Sequence, residues 1–111
     1  HNEREEGNKA ARKFRVAAWS LSGATMKNVV DGTFKCDGKY SEDGKIWRVP
    51  NQRELMMMYF LNSEYVNNCF CRTVFSNDKF RYSWTYEGVF TMWKPSQKGT
   101  SGSVRCISVL D

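Results

Sequence analysis

One stretch fixes where this chain must begin a helix. In Trp47-Arg48-Val49-Pro50-Asn51-Gln52-Arg53-Glu54-Leu55, Pro50 restrains the backbone and imposes an extended entry. Asn51 follows as a favoured N-cap, its side-chain oxygen suited to an unpaired N–H of the first turn. Glu54, three residues on, completes a capping box, so the sequence predicts a helix from Gln52 to about Leu61. Leu55, Met58, Tyr59 and Met56 share a face of that helix and are read as core. A Met-rich stripe also suits an adaptable binding groove, but helical spacing beside aromatics is ordinarily packing.

Around this helix the pattern is one of short strands. Phe14 to Trp19 alternates as a strand and Ser20 to Gly23 breaks it. Met26, Val29 and Val30 recur at helical spacing, with Gly32 and Gly38 limiting them to a short helix or turn. Residues 37–45 and 62–68 read as loops, and Phe70 to Phe75 as a short strand or extended crossing. Lys79 to Tyr86 and Val89 to Trp93 form two strands with Gly88 near the turn. Residues 94–102 are loop, and Ser103 to Leu110 is the closing strand. The expected fold class is α+β with a β-rich C-terminal half. At 111 residues the chain is too short to divide into two cores. Residues 1–13 are polar and mixed in charge, an arm or linker stub, and 14–111 form the single domain. No apolar run reaches the roughly 18 residues of a membrane span. With no initiator Met and no leader, His1 is read as a processed end of a longer protein.

Seventeen Lys and Arg against twelve Asp and Glu leave a net charge of +5, which favours anionic partners such as nucleic acid or an acidic glycan. The cations do not cluster as a nucleic-acid reader requires. Arg4, Lys9, Arg12 and Lys13 lie among Glu3, Glu5 and Glu6, while Lys79, Arg81, Lys94, Lys98 and Arg105 are dispersed. They are read as solvated surface, and nucleic acid is not an expected partner.

Cys36, Cys69, Cys71 and Cys106 suit an exported domain with one or two disulfides. A zinc site has little support, because the close pair is Cys69-Phe70-Cys71 and the one His is terminal. A Cys69–Cys71 disulfide would close a small strained ring, so each either faces a distant partner or stays a buried thiol. Cys36 with Cys106 is the expected pair.

Hydrolytic chemistry finds no foothold. There is no Ser-His or Cys-His pair, no nucleophile elbow, no P-loop and no dinucleotide fingerprint. Asp37, Glu42 and Asp43 share a loop and could offer ligands to calcium, but their spacing is not that of an EF-hand. Cys71 beside Arg72 has the look of an activated thiol, against which stands the ordinary structural role of cysteine in exported domains. No enzyme activity and no cofactor are expected. The aromatic run is more informative: Tyr82, Trp84, Tyr86, Phe90 and Trp93 are interleaved with Arg81, Glu87 and Lys94, and alternation places some of these rings on an outer face. Exposed rings stack on sugars and anchor protein interfaces. Core filling is the competing role, evenly weighted for Trp84 and Trp93.

Trp47-Arg48-Val49-Pro50 with Asn51 to Leu55, Tyr82-Ser83-Trp84-Thr85 and Val104-Arg105-Cys106-Ile107, in that order, resemble a bacterial domain family with WRLPT-x-x-EL, YWSST and VRCV signatures. That family includes the C-terminal domain of the Legionella collagen-like adhesin and is related to the C-type-lectin-like and formylglycine-generating-enzyme folds. The likeness spans about residues 26 to 111. It implies a C-type-lectin-like fold and supports pairing Cys36 with Cys106. The variant WRVPNQREL looks most like domains ending Bacteroides-type surface and fimbrial proteins, which display ligand sites and do not catalyse. This chain departs by its reordered Tyr82-Ser83-Trp84-Thr85, by lacking the EPN and WND calcium motifs, and by the additional Cys69 and Cys71.

The expected function is therefore non-catalytic recognition of a glycan or protein by an exported or surface-anchored bacterial protein. Arg81, Tyr86, Phe90, Trp93, Lys94, Gln97 and Lys98 are the expected binding residues. Trp47 and Leu55 are assigned to core, Asn51 and Glu54 to capping, and Cys36 and Cys106 to the disulfide. The rivals are a structural module docking fimbrial subunits or an upstream domain, a variable receptor-binding domain of the diversity-generating type, and a cryptic enzyme using Cys69 or Cys71.

Overall fold

A computed structural model describes residues 10–30, 32–40, 44–72, 81–84, 90–93 and 99–110; for Val30, 81–84 and 90–93 the description is of backbone. The capping signal forms as a full capping box. Asn51 is extended at φ −84°, ψ 178°, its side chain accepts from the Glu54 N–H, and the Glu54 carboxylate accepts from the Asn51 N–H. The helix it starts runs Gln52–Leu61 and is α2 below; the shorter α1 spans Met26–Val30. In α1, Thr25 and Asn28 exchange side-chain bonds with each other's N–H, a local closure that starts the turn before Gly32, at φ 78°, ends it. The loop expected after α2 contains a 3-10 turn, Ser63–Val66. Asn62 closes α2 by donating its N–H to Met58 O and opens the 3-10 turn by accepting from the Glu64 N–H.

Seven strands complete the chain: β1 Phe14–Val16, β2 Leu21–Thr25, β3 Cys69–Phe70, β4 Arg81–Trp84, β5 Phe90–Trp93, β6 Ser101–Val104 and β7 Ile107–Val109. They form a two-stranded sheet, β1-β7, and a five-stranded sheet in the order β2-β6-β3-β4-β5. The β3–β6 pairing is parallel; the others are antiparallel. The fold is therefore α+β, with the two ends of the described chain brought together by β1 and β7.

Two sequence expectations are corrected. The break expected at Ser20 to Gly23 lies earlier, at residues 17–20 after β1 ends at Val16, and Leu21 to Gly23 are strand: the β2–β6 register shifts between Leu21 and Ala24, and Gly23 there takes φ 81°, so the glycine forms a bulge and pairing resumes beyond it. The single closing strand over Ser103 to Leu110 is two strands in different sheets. Arg105 and Cys106 carry the chain between them, with Cys106 held by its disulfide to Cys36 and the Arg105 side chain donating from Nε to Ala17 O at 2.6 Å.

Two apolar clusters make the core. One gathers Ala24, Met26, Val29, Tyr40, Trp47, Phe70, Val104 and the disulfide; the other gathers Leu55, Met58, Val66, Cys69, Cys71 and Ile107. Along β3 and into Cys71 just after it, successive residues serve different clusters, Phe70 the first and Cys69 and Cys71 the second, as the period of two requires of extended chain buried on both sides. Gly102 lies under the Phe70 ring; a Cβ there would fall 2.6 Å from Phe70 Cε2.

Candidate functional site

β4 and β5, which carry Tyr82, Trp84, Phe90 and Trp93 of the late aromatic run, pair as an antiparallel hairpin at one end of the larger sheet. Arg81 lies opposite Trp93, Tyr82 opposite Met92, Ser83 opposite Thr91 and Trp84 opposite Phe90. The hairpin is anchored through β3, where Cys69 pairs with Trp84 and Phe70 with Ser83. Arg81 and Trp93 thus share one register position, and Trp84 and Phe90 another at the far end of the pair. Tyr86, Lys94, Gln97 and Lys98 lie outside the described residues, as do Glu42 and Asp43 of the loop considered for calcium.

Away from these strands, one buried carboxylate fastens the start of α2 to the rest of the fold. The Glu54 carboxylate, fully buried, receives four donors: Arg48 Nη1 at 2.8 Å and the Asn51 N–H at 2.9 Å on Oε1, Arg48 Nη2 at 2.7 Å and the Ala11 N–H at 2.8 Å on Oε2. Burial pushes this carboxyl up, but the Arg48 guanidinium and the two backbone N–H groups outweigh it and hold it below the ordinary range. Arg48 also exchanges both backbone hydrogen bonds with Ile107 at 2.9 Å, so the start of α2 is fastened to β7 and to the end of the arm.

A second node joins residues far apart in the chain, with no local pattern to associate them. Trp19, Tyr40 and Trp47 pack in series as tilted rings, with centroids 5.0 and 4.8 Å apart. The Tyr40 hydroxyl donates to Trp19 O at 2.8 Å, and burial pushes its pKa up against the opposing effects of the Arg105 charge and a Cys106 backbone bond. Asp37 Oδ1 accepts the Trp47 N–H at 3.1 Å, giving that carboxylate a structural task. Trp47 and Leu55 are both buried, and Cys36 and Cys106 are bonded.

Cys69 and Cys71 are both buried thiols. Burial pushes the Cys69 thiol up despite the Ser20 hydroxyl at 3.7 Å and the Arg105 charge and N–H. Arg105 itself lies 4.9 Å above the Tyr65 ring. A nucleophilic thiol needs a stabilised thiolate and a path to substrate, and burial withholds both from Cys69. Among the described residues no three His, Cys, Asp or Glu side chains are grouped to hold a metal ion, and no helix is long and apolar enough to cross a membrane. Comparisons with protein-family models, curated proteins and solved structures found no match to the chain.

Proposed function

We propose that this chain is a non-catalytic recognition domain of an exported bacterial protein, binding a glycan or protein ligand through the β4–β5 hairpin and the segments flanking it. The observation that carries this reading is the place of the hairpin. Tyr82, Trp84, Phe90 and Trp93 lie on the two strands at the end of the sheet, and Arg81 and Trp93 occupy one register position there. A cation beside an aromatic is the vocabulary of both sugar stacking and protein hot spots. The Cys36–Cys106 disulfide favours an oxidising, exported setting. A C-type-lectin-like architecture, as the WRVPNQREL and VRCI resemblance implies, fits paired chain ends, a capped helix and a disulfide close to the last strand.

A glycan array probed with the wild type and with a Tyr86→Ala plus Lys94→Ala variant tests the assignment. The wild type is expected to select a restricted set of glycans and the variant to lose them; identical profiles reject the surface.

One observation favours a second reading, a docking module in a fimbrial or surface assembly. β5 ends the sheet, and an end strand can accept a strand from another chain. Sedimentation with candidate subunits separates the two.

A further inference from the structure

We draw no further inference here: the strongest candidate, the apolar outer face of α2 formed by the exposed Met57, Phe60 and Leu61, carries none because nothing in the structure shows what covers it.

Discussion

Arg48 and Glu54 form a two-pronged ion pair in which the arginine is partly exposed and the carboxylate is completely buried. The pair joins three separate parts of the chain, because Glu54 also caps α2 and takes the Ala11 N–H, while the Arg48 backbone is bridged to Ile107. Removing the carboxylate leaves the Asn51 and Ala11 N–H groups without their acceptor. Glu54→Ala is expected to lower stability by about 2–3 kcal/mol, the scale of a lost charged hydrogen-bond acceptor. Urea denaturation at pH 7 measures it.

The same carboxyl gives stability a defined pH dependence. Its folded pKa lies below its unfolded one, so its contribution is complete above the ordinary carboxylate pKa and is lost as pH falls through the depressed folded value. Denaturation midpoints should fall from about pH 5 downward, and Glu54→Gln should flatten part of that slope. An unchanged slope in Glu54→Gln would remove Glu54 as its source.

The Cys36–Cys106 disulfide closes a long loop, its two sulfurs separated by 70 residues in sequence. On chain-entropy grounds, Cys36→Ser with Cys106→Ser should cost about 4 kcal/mol, read from the denaturation midpoints of variant and oxidised wild type.

Cys69 and Cys71 should behave as packed side chains. Native protein is expected to react with neither equivalent of a thiol reagent on the timescale that denatured protein takes up two. Rapid native labelling of Cys69 would reopen the case for thiol chemistry.

Gly102 is held to glycine by the Phe70 ring and by Asn68 O, 2.6 and 3.1 Å from where a Cβ would stand. Gly102→Ala should destabilise by about 1–3 kcal/mol, and Phe70→Leu in the same chain should recover part of that loss. Thermal melts of the two single variants and the double variant supply the comparison.

What the sequence disclosed, and what it hid, follows the range of the forces involved. The start of α2 was legible because Pro50, Asn51 and Glu54 act within one turn of each other. The hairpin strands were legible because alternation is local. β2 was hidden by Gly23, which reads as a terminator yet forms a bulge, and the division of the closing strand at Arg105 and Cys106 depends on partners some 70 and 88 positions away. The Trp19–Tyr40–Trp47 series depends on tertiary contact in the same way. For α2 the difficulty was different. Apolar residues line nearly all of the helix, so periodicity marks Leu55 and Met58 but does not reveal that Phe60 and Leu61 face water.

The central claim is that ligand recognition belongs to the β4–β5 hairpin and its flanks, with the disulfide and the Glu54 node only holding it in place. Titrating isotope-labelled protein with a glycan selected on the array, while following backbone amide resonances, tests this most directly. The account requires the largest shifts to fall within residues 81–98. Shifts centred on Trp19 or along α2, with residues 81–98 unmoved, would contradict it.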